Sequence, residues 1–399
     1  MNDPVIERVA REDPADRQPP PDPTRTDAIL GRVLAAAEQP DAHPVGGDRR
    51  LRVIGGVAGP ALAITVALIV AGVIITLAGH HSRSMPIAQP AGSPVPATFA
   101  GTARAGRGAQ SLLSADGSVW VAGGRRVTRL DPATGRVQAR ISVAANSAGA
   151  QMTAGAGSIW ATNLASSTVV RIDPHTNRVT ATFHLDGSGN GGGIGFMDGD
   201  VRVSRDAGGR RDGVVVAIDP RTGHLVGFAA RVGTGPARIA AGLGSLWVQD
   251  TSPPHAGITQ ITPGGAPRLL SRLRGTPFIG LGSLWVTPDP LDDQSTSILR
   301  YDPATGQVVA QIPAPRASAI AFGHGRAWVL STARSRSSRT FQPIAGTATL
   351  TQIDPRTNQT VGAPIHLSQA QPTSLAIHHD NLWIATANGL LLHFTLGGA

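Results

Sequence analysis

Downstream of about residue 97, the apolar positions fall into short runs bounded by glycine, proline or aspartate, a pattern of strands and tight turns rather than of helices. Upstream the pattern is different. Residues 1–50 are rich in Pro and Asp, with seven Arg against ten Asp plus Glu, and hold too little apolar surface to offset chain entropy, which predicts a disordered segment. Within it, Ile29, Leu30, Val33, Leu34 and Ala37 recur at helical spacing behind Thr26 or Asp27. That predicts a short helix over residues 27–38, either a transiently helical linker or the docking element for a cytoplasmic partner.

From Val53 to Gly79 no charge interrupts the apolar stretch, and no polar face is present, so residues 53–79 are expected to form a single transmembrane helix. Arg49, Arg50 and Arg52 precede it, while His80, His81 and Arg83 follow. The excess of Arg on the first side predicts a cytoplasmic N-terminus and an extracytoplasmic C-terminal part. A cleaved signal peptide is the alternative, but the leader is long and the apolar stretch exceeds an ordinary signal core. Residues 80–96 read as a Pro-rich extended linker.

The remaining chain is a repeat. Gly-x-apolar-Trp-apolar recurs around Trp120, Trp160, Trp247, Trp285 and Trp328; Asn381-Leu382-Trp383-Ile384 is a sixth copy, and Gly199-Asp200-Val201-Arg202-Val203 a seventh with Arg in the Trp place. Successive key positions are 40, 42, 45, 38, 43 and 55 residues apart. A second signature follows the Trp runs: Asp131-Pro132-Ala133-Thr134-Gly135, with copies at Asp173, Asp219, Asp302 and Asp354 and a degenerate form, Thr262-Pro263-Gly264-Gly265. Asp accepts backbone hydrogen bonds, Pro presets φ, and Gly or Asn tolerates the left-handed conformation, so each copy is a hairpin turn. Four strands per unit and seven units predict an all-β, seven-bladed β-propeller over residues 97–399. The last unit is one strand short. A closed ring hides its edges, so a segment within Ala97 to Arg104 is expected to supply the missing outer strand, with the Trp residues between blades.

Composition narrows the chemistry. With no cysteine, thiolate metal sites, disulfides and cysteine nucleophiles are excluded. All 35 basic residues are Arg and the formal charge is +9, a bias that fits a GC-rich genome of actinobacterial type. Nucleic acid is not an expected partner, because the basic domain is placed outside the cell and the single Tyr offers little stacking surface.

The GxLWV and IDPxTG signatures resemble YVTN- and NHL-type propeller repeats, and in particular those of the virginiamycin B lyase (streptogramin lyase) family, over about Gln110 to Leu396. The resemblance implies a propeller, and for the lyases the linearisation of a cyclic depsipeptide with magnesium, a His and a Glu. Here Glu occurs only at Glu7, Glu12 and Glu38, all ahead of the apolar span, so no family Glu maps onto a matching position.

The expected function is therefore a membrane-anchored, extracytoplasmic, non-catalytic ligand- or protein-binding module that senses or scaffolds, with no cofactor and no metal; the alternative is a streptogramin-lyase-like lyase or hydrolase. The distance from Trp to the Asp-Pro turn grows from 11 and 13 residues in the first two units to 17 and 26 in units five and six, so insertions accumulate on one face. Candidate ligand contacts on those loops are Arg205, Arg210, Arg211, Asp250, His255, Asp289, Asp292, Asp293, Arg334, Arg336 and Arg339. The arginines suit an anionic envelope component, and a peptide or small molecule is the other partner expected on this face; Asp289, Asp292 and Asp293 offer oxygens to a divalent cation, but their spacing matches no calcium loop, so a polar turn is expected there. The run Gly187 to Gly195 lacks the Lys-Ser/Thr ending of a phosphate loop and is expected to connect blades; His324, His378 and His379 are expected on the opposite face.

Overall fold

Glycine-closed hairpins dictate the local structure. In the computed structural model each repeat folds into a four-stranded antiparallel sheet, and the seven sheets are the blades of a propeller. The structure describes residues 92–397, apart from 107, 144–150, 164–167, 186–190, 206–212, 253–255, 290, 291, 293, 338, 339, 345 and 368–370. The expected segment 1–50, its helix 27–38, the span 53–79 and most of the linker lie outside the described residues. Among the described residues no helix is long and apolar enough to cross a membrane.

Blade one runs from inside to outside as Ala109–Ala115, Ser118–Gly123, Arg126–Leu130 and Val137–Ser142, and blades two to five follow the same order over residues 152–184, 191–231, 236–270 and 277–313. Blade six inserts a hairpin, Arg334–Ser337 with Thr340–Pro343, between its second and third strands. Blade seven takes three strands from the C-terminus, Pro372–His378, Asn381–Thr386 and Leu390–Leu396. Its outer strand is Ala97–Arg104, as predicted, paired from Ala97 with Leu396 to Arg104 with Leu390. The first strand thus closes the ring and covers the edge of Leu390–Leu396.

Each Asp-Pro turn is held by its own side chains. The Asp131 carboxylate accepts from the N–H groups of Ala133 and Thr134 and from the Thr134 hydroxyl, while Gly135, at φ 70°, returns its N–H to the Asp131 carbonyl. These bonds favour the ionised carboxylate and hold the pKa of Asp131 below its ordinary value, led by the Thr134 hydroxyl; Asp173, Asp219 and Asp302 are lowered chiefly by the N–H two residues ahead.

All six tryptophans are fully buried, and each lies between its own blade and the next. Trp120 packs with Met152, Val170 and Ile172 of blade two; Trp383, of the last blade, packs with Val119 and Leu130 of the first. An arginine completes the joint. Arg129 lies over the Trp120 ring at 5.1 Å, donates to Ser118 of its own blade at 2.8 Å, and reaches the Pro174 carbonyl and the Asn177 side chain in the turn of blade two. Arg171 does the same over Trp160 towards Pro220, and Arg300 over Trp285 towards Pro355 and Asn358. The guanidinium thus combines a ring face with a fork of donors, which an ammonium cannot do.

Blade seven has no continuous turn between its third and outer strands, because those strands come from opposite ends of the chain. Residues 92–95 take that place. The Gln352 side chain exchanges two hydrogen bonds with the Val95 backbone, Arg326 donates to the Ser93 carbonyl, and the Gly92 N–H donates to Asp354. Asp354 is fully buried and paired with Arg326 at 3.4 Å and Arg356 at 3.2 Å. Burial alone would raise its pKa; the Arg356 and Gly92 hydrogen bonds and the Arg326 charge overcome that and hold it at about 2. The end of the predicted linker is therefore fastened to blade six.

The glycine run corrects one expectation. Gly191–Met197 is the inner strand of blade three, not a connection between blades; residues 187–190 lie outside the described residues. A Cβ on Gly192 would lie 2.4 Å from the Ala237 carbonyl, and one on Gly193 2.3 Å from the Ile239 nitrogen, so glycine is what lets blades three and four approach. There the Gln151 side chain bonds Ile194 of blade three and both backbone groups of Ile239 in blade four.

Candidate functional site

Strand direction places the loops on two faces. Turns within blades, after the inner and third strands, share one face with the Asp-Pro hairpins. The links between second and third strands, and those from one blade to the next, share the other. The three histidines fall on the turn face, as expected: His324 faces Asp380 at 3.1 Å, and His378 meets the Ser114 hydroxyl at 2.9 Å and stacks edge-on against His379. Burial and the neighbouring His379 lower the pKa of His378.

On the loop face, a cavity of about 730 Å³ opens between blades five and six. Thr276, Thr287, Asp289, Asp292, Arg316 and Thr332 are among its lining residues. Its walls are set by their own hydrogen bonds: the Ser295 hydroxyl accepts from the Asp289 N–H, the Thr347 hydroxyl accepts from the Ala333 N–H and donates to the Ile344 carbonyl, and Ser318 donates to the Leu330 carbonyl. The Asp292 carboxylate accepts from the Gln294 N–H.

Of the candidates read from sequence, Asp289 and Asp292 come together in this cavity. Arg205 ends the second strand of blade three, and no partner for its buried Nε is found among the described residues. Asp250, 3% exposed, serves the fold: its carboxylate accepts from the Gly235 and Ser252 N–H groups and fastens the loop to the entry of blade four. Arg334 and Arg336 lie on the blade-six hairpin. Arg210, Arg211, His255, Asp293 and Arg339 lie outside the described residues.

Two lining residues escape a linear reading. Arg316 sits between blades, where Pro315 was visible as a turn signal but nothing marked its neighbour as a site. Thr332 is legible only once the register is known. At the loop-face end of the second strand, blades two, four, five and six each carry a threonine whose N–H donates to the carbonyl of the residue before the inner strand. Thr162, Thr251 and Thr287 also engage that residue's backbone through their hydroxyls. Thr332, 3% exposed, does not: its hydroxyl is buried without a hydrogen-bond partner among the described residues.

No protein-family model matches the sequence, and no curated protein matches it. Among solved structures, a catalytically inactive histidine-to-alanine variant of virginiamycin B lyase from Staphylococcus aureus, with quinupristin, is similar at 17% identity and TM-score 0.57. The match covers 76% of this chain and 100% of that one. A chain of the mitotic checkpoint complex is similar at 12% identity and TM-score 0.58, over 78% of this chain and 95% of that one. The computationally designed Ika8 protein follows at 11% and 0.51, over 75% and 98%. What these proteins share with the chain is the propeller fold. The magnesium that the lyase resemblance implies finds no fitting ligand set here: the ring contains no Glu, and among the described residues no three of His, Asp and Glu gather to hold a metal. No metal-dependent step is derived.

Proposed function

We propose that the protein is a single-pass membrane protein whose propeller stands outside the cytoplasm and binds a ligand on its loop face, as a sensor or scaffold without catalysis. The observation that carries this reading is the polar cavity between blades five and six, on the face away from chain entry. Residues 92–95 lie on the turn face, bound to Asp354 and Gln352, opposite the loop face that carries the cavity. Asp289 and Asp292 supply acceptors to the cavity lining and Arg316 a donor, and the arginine-rich loops of blades three and six suit an anionic envelope component.

The lyase reading takes its support from the fold it has in common with virginiamycin B lyase, one structure of which holds quinupristin. The absence of a ring Glu favours binding over that chemistry. Incubating the purified protein with quinupristin and magnesium tests the choice: no linear product is expected, and turnover abolished by chelation would replace the binding reading. Placement is tested separately by fusing alkaline phosphatase after residue 399, which should be active only if the C-terminus is extracytoplasmic. The helix 27–38 gives a third element of the reading, contact with a cytoplasmic regulator; a partner that co-purifies with the full chain should be lost when residues 1–45 are deleted.

A further inference from the structure

Arg316 holds a backbone conformation that its residue type avoids. The Ala317 N–H closes on the Ala314 carbonyl at 3.2 Å, Pro315 stands at the second position, and Arg316 follows at φ 64°. This is the arrangement of a type II turn, whose third position ordinarily falls to Gly or Asn. Among the described residues nine other non-glycine positions have positive φ, and all nine lie in hairpin turns on the opposite face. At the matching position before the inner strand of blade one, the chain uses Gly108, at φ 77°. In blade six it places a strained arginine there, in the cavity lining, where Arg316 is exposed and makes no ion pair among the described residues.

Thr332, whose N–H is bound to the Arg316 carbonyl at 3.0 Å, is the residue whose hydroxyl stays unpartnered where three equivalent threonines are satisfied. Two local rules of the repeat are thus broken side by side, in the blade that borders the cavity, which is where a functional departure is expected. The charged residues of the lining are Asp289, Asp292 and Arg316. A simple anion would meet two carboxylates, and a simple cation would leave the guanidinium unused. A molecule carrying both signs complements all three. The volume, about 730 Å³, lies within the range of small-molecule pockets.

We propose that this cavity binds a zwitterion of amino-acid to dipeptide size, with its carboxylate on Arg316 and its ammonium on Asp289 and Asp292. The inference rests on the reading of the loop face as a binding face and names its ligand class.

Isothermal titration of the full-length protein in detergent with alanyl-alanine tests it, beside the N-acetylated, the C-amidated and the doubly blocked dipeptide. Blocking either charge should weaken binding at least tenfold. Arg316→Gly relaxes the turn, so it should melt higher than the parent while losing at least tenfold affinity for alanyl-alanine and retaining its weak affinity for the amide; Asp292→Asn should weaken the two forms that carry a free ammonium. Equal affinity for all four dipeptides, or none for any, overturns the proposal. Glucose, inorganic phosphate and acetate run in parallel separate the two levels. Binding of one of these, lost in Arg316→Gly or Asp292→Asn, sinks the zwitterion and leaves the binding face standing. Silence from every probe, with both variants folded, sinks both.

Discussion

At the scale of single residues, this fold is held by a unit of three: a Trp, an Arg over its ring, and a Ser one strand away. Arg300 shows the logic, since its Nε satisfies Ser283, its Nη1 crosses to the next blade, and its face covers Trp285 at 5.2 Å. Trp285→Ala removes the apolar half and should cost about 3–5 kcal/mol in urea unfolding. Arg300→Lys keeps the charge but loses the fork and the stack, and should cost about 1 kcal/mol. A lysine variant as stable as the parent would mean that the charge alone matters. Asp354 works differently. Its carboxylate is held at about 2, below the unfolded value of about 3.9, so it contributes stability that is complete above roughly pH 4 and is lost as pH falls through about 2. The half-buried turn aspartates 131, 173, 219 and 302 are shifted the same way and add to the same acid limb. Asp354→Asn should melt lower than the parent at pH 7, with a gap that narrows towards pH 2. A gap that stays constant with pH would show that the carboxylate charge contributes nothing.

At the scale of strands and turns, most of the architecture was legible before folding because the repeat writes its rules seven times. A Trp every forty-odd residues, an Asp-Pro turn after it and a missing last strand were enough to place the inner strands, the hairpins and the closing segment Ala97–Arg104. Beyond the packing of the Trp residues, interactions that join different blades were not legible. Glycines 191–195 looked like a linker because a glycine run signals flexibility along the chain, whereas here they answer a crowding that comes from blade four. Arg316 and Thr332 were missed for the same reason: one is defined by a backbone angle and the other by a bond not made. The third junction was visible as a departure. Arg202 replaces the Trp, pairs with Asp200 at 3.2 Å, and leaves its buried Nε unbonded beside a gap of about 330 Å³ against the Thr262–Gly265 turn. Arg202→Trp should fill that gap and raise the melting temperature by a few degrees. A fall instead would show that the broken repeat has been repacked around the arginine.

At the scale of the whole molecule, closure is what converts seven weakly self-sufficient sheets into one cooperative body. Each of the six Trp packs against the next blade, so an open ring would expose such a face together with the unpaired edge of Leu390–Leu396. The chain closes twice there: once through the ladder from Ala97 to Arg104, and once through residues 92–95, whose bonds to Gln352, Arg326 and Asp354 replace the turn that blade seven lacks. Two truncations separate the contributions. A chain beginning at Gly106 loses both and should melt well below one beginning at Gln89, with blade seven exchanging its amide hydrogens first. A chain beginning at Pro96 keeps the ladder but not the strap, and should fall between them; it should also show a weaker acid sensitivity at Asp354, because the Gly92 N–H is gone while Arg356 and Arg326 still hold the charge. Equal melting of all three chains would mean that the ring is held without its first strand, and that residues 92–95 fasten the tether but not the fold.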